Sequence, residues 1–262
     1  MSVLRDTARA ATALGRAPAA FEADAAALAT AVNARLRRAD GVYLDGLKGD
    51  GAQSTHASQI ANAFAVAYGV VPEESRDAVL DHVAGLGMRM GPMAAHWLLT
   101  ALDGRPDEVV RRLTDADGPG WADILAKGGT FTWESWDADT TGQSLSHPWG
   151  AASLVDIQRT LLGVRVTGPG AAAVAIRPPA SGLSHASGSV PTQRGDVTVG
   201  WRRTGQALSV TVDVPVNVRA EVELPAGGTV KVIGEARYVG ERGGHAVYSV
   251  GSGRLTLTSL SR

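Results

Sequence analysis

Ser153-Leu-Val-Asp-Ile-Gln-Arg-Thr-Leu-Leu-Gly-Val-Arg-Val-Thr-Gly-Pro-Gly170 is the stretch in which the chain changes its period. Leu154, Ile157 and Leu161 lie three and four residues apart, one stripe of a helix over 148–162, and Gly163 is its expected stop. Thr167-Gly-Pro-Gly170 ends the helical chemistry. From about residue 171 onward apolar and polar residues alternate. Val197-Thr-Val199-Gly-Trp201, Leu208-Ser-Val210-Thr-Val212-Asp-Val214, Val218-Arg-Ala220-Glu-Val222-Glu-Leu224 and Leu255-Thr-Leu257 each place one apolar face on a strand. Arg203-Thr-Gly205, Pro225-Ala-Gly-Gly228 and Gly240-Glu-Arg-Gly-Gly244 separate them as hairpin or loop chemistry. Short alternating strands with regular turns predict a β-sandwich.

Upstream of the switch the pattern is helical. Phe21, Ala25, Leu28, Val32 and Leu36 share one helix face, with Pro18 suited to the first turn and Arg35, Arg37 and Arg38 to the C-terminal end. The spacing predicts further helices over 57–69, stopped by Gly69, over 73–85, burying Val79 and Val83, and at 92–102, 106–115 and 120–127. About seven helices joined by short loops suit an array of helical hairpins. The N-terminal helix would then present an apolar face with nothing to cover it. The expected class is α+β with two domains, helical over 1–166 and antiparallel β-sandwich over 167–262.

Composition narrows the function classes. Of 262 residues 44% are hydrophobic and 19% charged, with a net charge of −1, so nothing electrostatic points to a nucleic-acid partner. With no cysteine there is neither a disulfide framework nor a thiolate metal site. His82 and His96 lie in helical patterns without a second ligand at metal spacing, and His185 and His245 are away from any cluster; no metal or cofactor is expected. The start of the chain lacks the apolar core of a signal peptide and no stretch is apolar enough to span a membrane, which makes a cytoplasmic protein the expectation.

Chemistry concentrates in Gly128-Gly-Thr-Phe-Thr-Trp-Glu-Ser-Trp-Asp137 followed by Ser144-Leu-Ser-His-Pro-Trp-Gly150. Glu134 stands between two indoles, with His147 and Trp149 downstream. Indole faces stack on the apolar faces of sugars, and a carboxylate flanked by indoles is partly desolvated, which favours it as a base near neutral pH. The competing reading is that the tryptophans are core packing and Glu134 caps a helix or pairs with an arginine. Spacing alone leaves both open. Lys48-Gly-Asp-Gly-Ala-Gln-Ser-Thr55 lacks phosphate-loop spacing and reads as a surface loop. His56 reads as exposed or capping, with a sugar-facing role as the alternative; Asp45 and Asp50 flank the same loop as candidates for a proton donor.

These strings resemble family 78 glycoside hydrolases, the bacterial α-L-rhamnosidases, whose usual form is G-A-T-T-x-W-E-x-W-D followed by S-x-N-H. Ser58-Gln-Ile-Ala-Asn-Ala-Phe-Ala-Val-Ala-Tyr-Gly-Val-Val-Pro-Glu73 is similar to the T-Q-T-A-x-A-L-A-L-x-x-G-L-x-P-E helix of that family's toroid. Gly168-Pro-Gly170 with Ala175-Ile-Arg-Pro178, and Arg194-Gly195 with Val199-Gly-Trp201, resemble its junction and first hairpin of the C-terminal β-domain. The match runs in order over roughly residues 40–260. It implies the closing helices of an (α/α)6 toroid followed by a β-sandwich. It further implies inverting hydrolysis of terminal α-L-rhamnosyl groups, with Glu134 as general base, His147 on the sugar ring, and Trp133, Trp136 and Trp149 lining the pocket. Ser146 stands where the family has Asn, and nothing in 1–120 resembles the acidic loop that carries the family's general acid. The expectation is therefore a fragment of a longer enzyme acting on rhamnosyl glycosides. The alternatives are a non-catalytic sugar-binding remnant and a half-domain pairing through its open toroid edge.

Overall fold

The computed structural model describes residues 1–260. They form two compact units, one comprising Met1–Leu102 with Arg111–Ala152, the other Asp103–Val110 with Ser153 onward. The second unit begins at Ser153, ahead of the expected division at 166/167, and also takes in Asp103–Val110.

The first unit is helical: α1 (Ser2–Ala13), α2 (Ala19–Leu36), α3 (Gln59–Ala67), α4 (Glu73–Gly85), α5 (Pro92–Ala101), the second half of α6 (Pro106–Thr114), α7 (Trp121–Ala126) and α8 (Ala138–Thr141), closed by a 3-10 turn at Pro148–Ala152. Ser58 caps α3 by accepting the Ala61 N–H, and Gly69 ends it in the left-handed region at φ +63°. Arg5 of α1 reaches the carbonyls beyond it, donating to Tyr68 O at 2.6 Å and Gly69 O at 3.3 Å. α1, which the periodicity reading passed over, packs on α2 and is tied by this contact to the end of α3.

Val79, Val83, Ala95, Leu98 and Leu99, all fully buried, make the core between α3, α4 and α5. The predicted stripe on α2 is covered less well. Only Ala25 is buried, and Leu28 stays 44% exposed. Two amides fasten the loops at the start of α3. Asn62, fully buried, pairs with both backbone groups of Tyr43 (2.8 and 2.9 Å). Gln59 donates to Val83 O and Gly87 O and accepts from Arg89 N, at 2.7–2.8 Å. A buried amide with these partners is satisfied, and it fixes the backbone it reads.

The second unit begins where the sequence predicts one continuous helix. The structure breaks that helix into the 3-10 turn, α9 (Ser153–Asp156) and a π-helical turn at Ile157–Leu162, ended by Gly163 at φ +85°. Terminal carbonyls left without helical partners are taken up by side chains, Leu161 O by the Trp201 indole at 3.1 Å and Arg159 O by Arg165 at 3.2 Å. Leu162 itself is buried in the sandwich core, so this turn belongs with the strands. Asp103 accepts from Arg165 at 2.7 Å and from the Thr160 hydroxyl, which ties the Asp103–Val110 segment into this unit.

Ten strands follow among the described residues: β1 (Val164–Val166), β2 (Ala173–Ile176), β3 (His185–Val190), β4 (Val197–Thr204), β5 (Ala207–Val214), β6 (Arg219–Pro225), β7 (Thr229–Ile233), β8 (Arg237–Arg242), β9 (His245–Val250) and β10 (Gly253–Leu260). They make two five-stranded sheets, β1-β2-β6-β9-β8 and β3-β4-β5-β10-β7. Pairing is antiparallel except for β2 with β6, which run parallel from Ala173↔Arg219. The alternating residues turn inward as their period requires: Val199, Val210, Val212, Val222, Leu224 and Leu257 are fully buried in one core shared by both sheets. Gly240-Glu-Arg242, expected as loop, instead lies in β8 at a register shift, and the turn shrinks to Gly243-Gly244.

Candidate active site

Glu134 sits on a loop whose entry is forced by a close approach. Gly128 (φ +83°) and Gly129 turn the chain off the end of α7, and Gly129 N donates to Ile124 O at 2.8 Å. A Cβ on Gly129 would lie 2.5 Å from the Ile124 side chain and 2.9 Å from its carbonyl, so the position excludes any other residue.

Beyond this turn residues 132–134 run beside 144–147. His147 N donates to Thr132 O at 2.7 Å, and the Thr132 hydroxyl returns a bond to His147 O at 2.5 Å. Glu134 N donates to Ser144 O at 2.9 Å, and Ser144 N donates to Glu134 Oε2 at 3.0 Å. These bonds hold the two segments side by side. Trp133 is buried, whereas the neighbouring Glu134 side chain keeps about a third of its surface in solvent.

The tryptophans divide accordingly. Trp133 is 3% exposed and packs on Ile124 and Ala138, with Lys127 over its ring. The expectation that it lines a sugar pocket meets a side chain spent on the interior. Trp136 donates from Nε1 to Met90 O at 2.8 Å and meets Trp121 edge-on at 5.1 Å. Trp121 in turn donates to Gly150 O at 3.1 Å. Trp149 donates to Glu134 O at 3.3 Å and lies against the His147 ring, centroids 3.8 Å apart. Three indole N–H groups thus brace the backbone around one carboxylate. The composition showed the tryptophans; their different tasks come from the pairing of 132–134 with 144–147, which no spacing rule reveals.

Among the described residues Glu134 has no arginine partner and no indole face against its carboxylate, so in place of the expected indole-flanked group stands a half-buried carboxylate braced by backbone bonds. Its side chain is 35% exposed, with His147 Nδ1 3.8 Å from Oε2. Oε2 also takes the Ser144 amide, and among the described residues Oε1 accepts no hydrogen bond. One oxygen is fixed and the other is available to a water or a hydroxyl. Asp137 is used locally, accepting from the Ser135 hydroxyl at 2.7 Å and leading into α8. Sequence reading missed the supports: Ser144, Thr132, and the Met90 carbonyl that anchors Trp136. Among the described residues no group of three His, Asp, Glu or Cys side chains is placed to hold a metal, and no helix is long and apolar enough to cross a membrane.

The chain thus joins an array of helices carrying the Glu134 loop to a two-sheet β-sandwich, the layout of helical-hairpin glycosidases with a C-terminal β-domain. Residues 1–156 match the bacterial alpha-L-rhamnosidase 6 hairpin glycosidase domain, and residues 163–238 match the bacterial alpha-L-rhamnosidase C-terminal domain. The chain belongs to the bacterial α-L-rhamnosidase family. An alpha-L-rhamnosidase of Alteromonas sp. (strain LOR) is 30% identical over 187 residues, 64% of this chain and 20% of that protein. One from Streptomyces avermitilis is 26% identical over 219 residues, 77% of this chain and 21% of the relative. The crystal structure of a Streptomyces avermitilis alpha-L-rhamnosidase complexed with L-rhamnose superposes with a TM-score of 0.82 at 26% identity, over 98% of this chain and 26% of that one. The alpha-L-rhamnosidase from Dictyoglumus thermophilum shares the fold, with a TM-score of 0.82 at 22% identity, over 98% of this chain and 31% of the other. The chain spans about a fifth of the length of the curated relatives it matches.

Proposed function

We propose that this chain carries the general-base half of an inverting α-L-rhamnosidase site. The observation that supports it is the Glu134 carboxylate, with Oε2 fixed by the Ser144 amide and Oε1 open. In this reading Oε1 takes a proton from water as the water attacks the anomeric carbon. His147 and Trp149 receive the rhamnosyl ring, and Trp136 holds the loop through Met90. Trp133 supports the site from behind. An inverting displacement also needs a second carboxyl, about 6.5–9.5 Å from the base, to protonate the leaving oxygen. In this reading the chain supplies the base, and we assign the acid to the part of such an enzyme outside the matched region.

That division makes the test specific. A nitrophenyl rhamnoside releases nitrophenolate, a stable anion that needs little protonation by an acid, so this substrate isolates the contribution of the base. Turnover of p-nitrophenyl α-L-rhamnoside by the purified chain, abolished in Glu134→Gln, is the expected result, with β-L-rhamnose as the first product seen by NMR. Turnover that survives Glu134→Gln refutes the assignment. A second reading, sugar binding without hydrolysis, is favoured by the absence of an acid motif. Saturable rhamnose binding with no turnover, even of the activated substrate, selects it.

A further inference from the structure

The loop between α2 and α3 is a built structure that the general-base reading does not use. Residues 45–56 fold back as a short antiparallel ribbon. Asp45 N donates to His56 O at 2.9 Å, Ser54 N to Gly46 O at 2.9 Å and Lys48 N to Ala52 O at 2.7 Å, with Gly51 (φ +82°) at the tip. At its base the Asp45 carboxylate receives the Ser58 amide on Oδ1 at 2.7 Å and faces His56 Nδ1 from Oδ2 at 2.5 Å. The His56 ring is nonetheless 75% exposed. Burial pushes the Asp45 carboxyl up, but the hydrogen bonds from His56 and Ser58 outweigh it and hold the group below its ordinary value. Asp45 is therefore an anion at neutral pH and unsuited to donate a proton, the role the sequence left open for it. Its effect falls on the histidine. A carboxylate on Nδ1 fixes the tautomer and turns Nε2 outward as a directed hydrogen-bonding atom.

The ribbon stands at the same end of the helical unit as Glu134, by a continuous set of contacts. Asp45 holds Ser58, the cap of α3. The next residue, Gln59, holds Gly87 O and Arg89 N in the loop that enters α5. In that loop Met90 O receives the Trp136 indole, two residues from Glu134. Gly150 closes the set, since a Cβ there would lie 3.0 Å from Thr132 and 3.4 Å from Pro92, the first residue of α5. An exposed histidine–carboxylate contact stabilises a fold by only ~0–1 kcal/mol, which is little reason to order a solvent-facing imidazole.

We infer that His56, oriented by Asp45, is a second sugar-contacting side chain, placing Nε2 against a hydroxyl of the glycoside whose rhamnosyl group meets Glu134. The inference rests on the functional reading above. Its test is a titration of the purified chain with methyl α-L-rhamnoside, followed through the histidine Cε1–H resonances. His56→Gln and His147→Gln assign the two signals. The expected result is saturable movement of both the His56 and His147 signals with one dissociation constant. His56→Gln and Asp45→Asn should each weaken that constant roughly fivefold, the factor one hydrogen bond carries, at unchanged melting temperature. Movement of His147 alone overturns the role of His56 and leaves the Glu134 site standing. A silent titration at both histidines removes the sugar site, and this inference with it. Because the first readout uses the unaltered chain, a variant that folds poorly does not blunt the test.

Discussion

In β4 the alternation of Val197, Val199 and Trp201 sends three apolar side chains into a core where each is at most 2% exposed. In the Glu134 loop Trp133 is buried and Glu134 partly exposed without any strand to alternate them, and the fastening is polar: paired backbone groups, a hydroxyl and three indole N–H donors. The sandwich is held by burial, which has no direction and sums over many contacts. The loop is held by a few directed bonds, each worth about 1 kcal/mol net and each fixing an atom. Position is therefore specified most finely where the least free energy is stored, and the two regions should answer substitution in opposite currencies.

The largest separation is expected from Glu134→Gln. Turnover of the nitrophenyl rhamnoside should fall by roughly 10²–10⁴, the range of a positioned general base, while the urea midpoint stays put. Trp201→Ala should do the reverse. Loss of a buried indole costs about 3–5 kcal/mol in urea unfolding, and sugar affinity per folded molecule should not change. If Trp201→Ala altered affinity selectively, the contrast between the two regions would be wrong.

Asp103 sharpens the sandwich side. Burial would raise its carboxyl, but Thr160, Arg165 and Arg159 overcome this and hold it below its usual value. The folded value lies below the unfolded one, so its stabilisation is complete above the ordinary carboxylate range. It is lost as pH falls through that range, from about pH 4 downward. Asp103→Ala should cost about 2 kcal/mol at pH 7 and lessen the acid sensitivity of unfolding, measured as urea midpoints at pH 7 and pH 3. Equal acid sensitivity in the variant would remove Asp103 from this role.

Trp136→Phe keeps the ring but deletes the bond to Met90 O. A stability loss of about 1 kcal/mol with a disproportionate drop in kcat, at similar KM, is expected from a residue that positions the base. The smallest effect belongs to Leu28→Glu on α2. At 44% exposure it should change the unfolding free energy by no more than about 0.5 kcal/mol. A larger loss would show that the α2 face is covered in solution.

Much of this architecture was readable before any coordinates. Alternation over 197–224 has one physical outcome when one face is buried, and the helix stops at Gly69 and Gly163 follow from the left-handed backbone that glycine tolerates. The pairing of β2 with β6 was not readable, because parallel register is set by partners far along the chain. Nor was the transfer of Asp103–Val110 to the second unit, which depends on the charges of Asp103 and Arg165 meeting across the fold. At the site the motif brought Glu134 and His147 to attention, and the two do lie 3.8 Å apart. It could not separate Trp133 from Trp136, because the turn at 134–137 lies between them and which ring it buries depends on Ile124, Ala138 and Met90. His56 reads in the sequence as exposed or capping, with a sugar-facing role as the alternative. Its orientation depends on the ribbon fold that brings Asp45 to it.

The mutual latch between Glu134 and Ser144 has a consequence for remodelling. Ala138 is locked inside with Trp133, but Thr140, Thr141, Gly142 and Gln143 are exposed and lie between two fixed posts. That short excursion is a cassette: its length and chemistry can be exchanged while the posts keep their spacing. A library confined to 140–143 would vary the chemistry beside Glu134 without moving its carboxylate.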